Sequence, residues 1–141
     1  MRTVPVGTRG SFSMVVLPEH LANRFKDSML PPVLATPVMI MAMENAALNA
    51  VRSYLEPGES VVGTMVNVRH LAATAIGQTV TATAEVTAVE GRRIVFAISA
   101  SDEIEEIGKG THERMVVNLT RLQQRLDAKI ARSEAIRTAR R

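Results

Sequence analysis

The chain has no cysteine and no tryptophan, and aromatic residues are only 3% of its 141 positions. Without cysteine there is neither a disulfide framework nor a zinc–thiolate centre, so a reducing, cytoplasmic setting is expected. The N-terminal MRTVPVGTRG lacks the apolar run of a signal peptide. No stretch approaches the ~20 apolar residues that span a bilayer, and no membrane association is expected. The three histidines are scattered with no HExxH-type spacing, which argues against a metal site. Also missing are GxGxxG, the Walker loop and GxSxG, so neither a nucleotide cradle nor a serine elbow is indicated.

What remains is a hydrophobic fraction of 46% that includes eight methionines. A core of Val, Ala, Met and Ile leaves room to enclose a ligand. The length suits one domain. The sequence pI near 9.9 suggests nucleic acid until the charges are located. Residues 119–141 hold seven Lys/Arg against two acids, and residues 1–118 hold ten against twelve. The body is slightly acidic, so nucleic-acid binding is not expected. The chain divides into a domain over 1–118 and a basic tail over 119–141, helical or disordered.

The rest is organised around TPVMIMAMENAALNAVRSY, residues 36–54. Thr36 can cap a helix whose first residue is Pro37. The following residues are apolar on every face, which predicts a helix buried all round. Pro18 opens a segment with Leu21, Ala22 and Phe25 at helical spacing. LPPVLATP is extended. From Ser60 the period becomes two, placing Val62, Val66, Val68 and His70 on one apolar face. QTVTATAEVTAVE and RRIVFAISASD alternate cleanly about a Glu90-Gly91 hairpin, and IGKGTHERMVVN makes a last strand. One strand within residues 8–17, a buried helix and four further strands predict an α+β fold, with a curled antiparallel sheet around one helix.

Three residues stand out chemically. Glu44 is a carboxylate within the apolar helix; it either reaches the surface or pairs with a cation such as Arg52, or it is a tuned acid or base. His70 is its natural partner, since imidazole and carboxylate in hydrogen-bond reach can activate water. Thr36 is by default a cap, but a helix start also suits a thioester carbonyl. His20 and His112 carry less weight; for His112, in GTHERM, a cross-strand or surface role is expected.

These residues resemble a known family. LATPVMIMAMENAA, VGTMVNVRHLAATAIGQTVTATAEVTAVEGRR and GKGTHERMVV, covering most of residues 33–118, are similar to the fluoroacetyl-CoA thioesterase-like branch of the hotdog-fold thioesterases. The resemblance implies a hotdog fold, homodimeric or a dimer of dimers, hydrolysing an acyl-CoA. It implies Thr36, Glu44 and His70 as a catalytic triad, with Glu44 as nucleophile or as the carboxylate behind an attacking water. Gly63 matches a glycine beside the thioester carbonyl and Arg114 another family position. No cofactor is implied, because coenzyme A is part of the substrate. The family's lid carries several aromatic residues, whereas residues 18–35 here keep only Phe25, with Leu30 among the other bulky groups. The implied substrate is therefore a small or medium acyl-CoA, the acyl group being left open. Arg69, Arg92, Arg93 and Lys109 are candidates for its phosphates, each equally explained as solvated surface. A hotdog hydratase and a non-catalytic acyl-CoA-binding or regulatory module are the alternatives. Thr36 and Glu44 are eight positions apart, about 12 Å of helical rise, which predicts a site shared between two chains.

Overall fold

The structure, a computed structural model, describes residues 1–141. Strand β1 (Arg9–Val15) leads through a 3-10 turn at Pro18–His20 and a single helical turn α1 (Ala22–Phe25) to helix α2 (Thr36–Val51). Then come β2 (Glu59–His70), β3 (Thr79–Glu90), β4 (Arg93–Ser101), β5 (Glu106–Asn118) and helix α3 (Leu119–Ala139). The turns are those that the sequence encodes: Gly58 and Gly91 take positive φ of 81° and 63°, which glycine adopts without a Cβ clash.

All five strands form one antiparallel sheet in the order β1-β3-β4-β5-β2. β2 does not pair with its successor. Residues 71–78 cross the sheet, and β2 becomes the edge strand beside β5. The alternation in β3 and β4 buries Val80, Ala82, Ala84, Val86, Ile94, Phe96, Ile98 and Ala100 against α2. In β2 the alternation is broken. The register with β5 slips between Gly63 and Met65, so Val61 is buried whereas Val62 turns outward at 37% exposure. Beyond the bulge Val68 and His70 are half-buried on the expected face, whereas Val66, opposite buried His112, is as exposed as Val62 at 37%.

Small residues let α2 lie close on the sheet. Gly10 of β1 runs against the backbone of Ala46 and Ala50, and a Cβ there would lie 2.7 Å from the Ala50 Cα. Met39, Ala42, Met43, Ala46, Ala47 and Val51 are buried on that side. The helix is not buried all round, however. Its opposite stripe of Pro37, Met41 (41% exposed) and half-buried Glu44 and Leu48 is left uncovered by the chain. Nor is Thr36 the cap. Ala35 is, Thr36 is the first helical residue, and no side chain caps this end.

Residues of the tail form α3, which buries none of its side chains. Leu119, Leu126, Ile130 and Ile136 remain exposed. Two changes test this packing. Gly10→Ala should destabilise by about 1–3 kcal/mol, since overpacking here meets backbone. Deleting residues 122–141 should leave the urea midpoint of the body nearly unchanged. A silent Gly10→Ala, or collapse on truncation, would show that the helix contacts are assigned to the wrong residues.

Candidate active site

Two clusters lie on α2, one at its start and one two turns on. At the start, the Thr36 hydroxyl and His70 Nδ1 are 2.7 Å apart. Because Ala35 makes the cap, the hydroxyl is free for the imidazole. His70 reaches it from the end of β2, where the chain leaves the sheet. Its Nε2 is buried with no partner inside the chain. Burial pushes the His70 pKa below its ordinary value, outweighing an opposing effect of the Ala72 backbone, so the neutral ring is favoured.

Backbone donors are scarce here. Val38 and Met39 N–H both donate to Ala35 O, at 3.0 and 3.1 Å, and Leu34 and Ala35 N–H donate to Thr74 O and His20 O. Pro37 has no N–H. Of this run only the Thr36 N–H has no acceptor, fewer donors than a bare helix start would offer.

The second cluster surrounds Glu44. A Cβ on Gly63 would lie 3.0 Å from Glu44 Oε2 and 3.4 Å from His112 Cε1, so this glycine is what lets the carboxylate approach the strand. Arg114 is only 8% exposed. It donates from Nη2 to Val61 O (2.7 Å) and from Nη1 to His112 Nε2 (3.2 Å), and its Nε has no partner in the chain. Burial lowers the Arg114 pKa against the pull of Glu44. Glu44 itself makes no ion pair or hydrogen bond within the chain. Arg52 is turned to Asn49 instead, at 3.0 Å.

The structure thus brings Thr36 to His70, and Glu44 to Gly63 and Arg114, but does not join the two sets within one chain. Gly63 and His70 are seven positions apart on β2, roughly 23 Å of strand. A groove of about 490 Å³ opens at the first cluster, lined by Lys26, Leu30, Val33, Thr36, His70 and Ala72 among others. Leu30 belongs to it. Phe25 does not line it and is 53% exposed. Lys26, overlooked in the sequence, is the groove's only charged side chain. Of the basic residues suggested for phosphates, Arg93 pairs with Glu90 and Glu113, and Arg92 is bonded to Val116 O. Arg69 and Lys109 are exposed and line no part of this groove. His112 takes the cross-strand alternative. It is fully buried rather than at the surface, with its Nδ1 2.8 Å from the Met65 carbonyl of β2. His20 stays on the surface turn, accepting from the Leu17 N–H.

A sheet curled about one helix in this way is the hotdog architecture, and solved structures agree. A thioesterase superfamily member from Thermus thermophilus superposes with a TM-score of 0.90 at 32% identity, covering 96% of this chain and 99% of that one. A hot-dog-like protein from Thermanaerovibrio acidaminovorans gives 0.80 at 27%, covering 89% and 92%. The class is that of the hotdog-fold thioester hydrolases. The model of the fluoroacetyl-CoA-specific thioesterase family matches residues 16–120, and the chain belongs to that family. A fluoroacetyl-CoA thioesterase of Streptantibioticus cattleyicolor is 43% identical over 129 residues, 88% of this chain and 93% of that protein. A solved fluoroacetyl-CoA thioesterase matches with a TM-score of 0.85 at 41% identity, covering 90% and 98%.

Buried His112 and half-buried His70 give a pH prediction. For both His70 and His112 the folded pKa lies below the ordinary 6.5. The unfolded chain therefore takes up protons first as pH falls, and the stability present above pH 6.5 is progressively lost below it. The urea midpoint should fall between pH 7.5 and 5. Equal midpoints would mean that neither ring is desolvated.

Proposed function

We propose that the enzyme hydrolyses short acyl-CoA thioesters in a site completed by two-fold pairing of two copies. One copy supplies Thr36 and His70, and the other supplies Glu44, Gly63 and Arg114. The observation that carries this is the pairing pattern. Thr36 and His70 satisfy each other and leave Nε2 buried without a partner, while Glu44 has no partner in its own chain. Edge strand β2, twelve residues long, and the open Pro37–Met41–Glu44 stripe of α2 flank both clusters. Antiparallel pairing of β2 with its copy would cover that edge and set the two helices face to face.

Chemistry follows from the tautomer. With Nδ1–H donating to Thr36 Oγ1, the Nε2 lone pair serves as base. Nε2 takes a proton from water as the oxygen attacks the thioester carbonyl, and Glu44 of the second copy steadies the imidazolium. The Thr36 hydroxyl hydrogen and the Thr36 N–H are both left to donate to the oxyanion. Collapse expels the thiolate of coenzyme A, which receives the proton from His70, leaving a carboxylic acid and a thiol. Lys26 at the groove rim suits an anionic phosphate.

Fluoroacetyl-CoA is the substrate to test first, because it names the relatives. The groove is walled by Leu30, Val33 and Leu34, without aromatic rings, which favours tolerance of several short acyl groups. Thiol release should be seen across a panel of acetyl-, fluoroacetyl- and propionyl-CoA. Glu44→Gln and His70→Ala should each lower turnover by about two to four orders of magnitude. A mixed dimer of these two variants contains one intact site and should recover up to half the wild-type rate. No recovery after verified subunit exchange, or a monomer by light scattering at micromolar concentration, would rule out the shared site.

A further inference from the structure

His112 is the most deeply buried titratable side chain of the fold, with 0% exposure. It projects from β5 onto Phe96 of β4, with ring centroids 5.8 Å apart and planes 28° from parallel. Stacking alone would be served as well by phenylalanine. Yet both ring nitrogens are used, and their roles are fixed by their partners. The Met65 carbonyl 2.8 Å from Nδ1 can only accept, so Nδ1 carries the proton. Nε2 is then an acceptor, and Arg114 Nη1 donates to it at 3.2 Å. Arg114 Nη2 continues to Val61 O at 2.7 Å.

These bonds form a strap over one segment. Val61 and Met65 stand two residues either side of Gly63, and the register slip of β2 falls between Gly63 and Met65. The strap therefore spans the bulge that sets Gly63 against the Glu44 carboxylate. An arginine buried in this way costs free energy that a core without function would avoid. The third donor of its fork, Nε, is buried without a partner in the chain.

We propose that His112 is a positioning residue: in its neutral, Nδ1-protonated form it locks Arg114 and the Gly63 bulge at one height beside Glu44. This rests on the thioesterase site proposed above, and it gives the GTHERM segment a role beyond packing. The charged groups around the ring are Arg114 and Glu113 on its own strand and Glu44 on α2, whereas β4 presents Phe96 and β2 a carbonyl. Burial leads in pushing its pKa down, Arg114 adds to this, and the Met65 carbonyl and the two carboxylates oppose. Protonation would remove the acceptor and set two cations together, so Arg114 would be released. The strap holds only while the ring is neutral.

The test pairs kinetics with spectroscopy. His112→Phe keeps the ring and its stacking but loses both hydrogen bonds. It should lower kcat about 10- to 100-fold with KM within threefold, and His112→Gln, which keeps a donor and an acceptor, should regain part of the loss. Nitrogen-15 spectra of the wild type at pH 7 should show His112 neutral with the proton on Nδ1. The Arg114 guanidinium protons should be protected from exchange in the wild type and exposed in a folded His112→Phe. A kcat within twofold of wild type in His112→Phe would overturn the proposal, as would a cationic or Nε2-protonated ring. Should the wild type hydrolyse no acyl-CoA at all, the function falls, while the spectra alone still decide the strap. If His112→Phe fails to fold, the wild-type tautomer and His112→Gln decide it.

Discussion

Everything in this fold depends on how closely α2 can lie on its sheet. At the closest approaches any side chain would hold the two layers apart, and Phe96 is the one phenyl ring fully buried between them. At those approaches Gly10 meets the backbone of Ala46 and Ala50, and Gly108 meets Met39, whose Sδ would lie 2.6 Å from a Cβ there. These two glycines thus set the thickness of the core, in which Met39 and Met43 fill the remaining gaps. Helix height fixes the rest, because Thr36 and Glu44 are rigidly attached to α2 while His70 and Gly63 are attached to β2. A helix displaced outward by one methylene would separate the Thr36 hydroxyl from the His70 ring and Gly63 from the Glu44 carboxylate together.

The polar groups follow a second constraint. The sheet covers α2 from β1 across to β4, and β2 only skirts it. The stripe left over carries Met41, half-buried Leu48 and Glu44, too apolar for a solvated face and too polar for a closed core. A second copy resolves both problems in the proposed assembly, because it covers the apolar residues and gives the carboxylate an imidazole. The same step would end the isolation of the β2 edge.

The sequence made the strands and the central helix legible because period two and a run apolar on every face are strong local patterns. Thr36, Glu44 and His70 stood out for the same reason, as polar groups where the pattern called for apolar ones. What escaped was non-local. The β2 bulge inserts one residue opposite β5, and no residue of β2 announces it except Gly63, which has a second reason to be glycine. The inverted orientation of Val62 follows from that slip. The edge position of β2 was not legible either, since nothing local in residues 71–78 says that they cross the sheet. The cap at Ala35 was hidden because threonine before proline is so favourable a cap in isolation. Only the imidazole of a strand far along the chain draws the hydroxyl away.

His112 and His70, both desolvated, differ in how the fold assigns them chemistry. Each is held neutral chiefly by desolvation, yet their surroundings differ in what assembly would change. His112 is enclosed by its own chain, with Arg114, Glu44 and Glu113 already around it, so its state is set once the domain folds. His70 has a hydroxyl on one nitrogen and no hydrogen-bond partner of its own chain on the other. In the proposed dimer a carboxylate approaches that second nitrogen, and a nearby anion raises an imidazole pKa where burial lowered it. The approach would bring the ring's pKa back toward neutrality, where a base can both take and return a proton. On this argument folding makes the positioning histidine, and pairing makes the catalytic one.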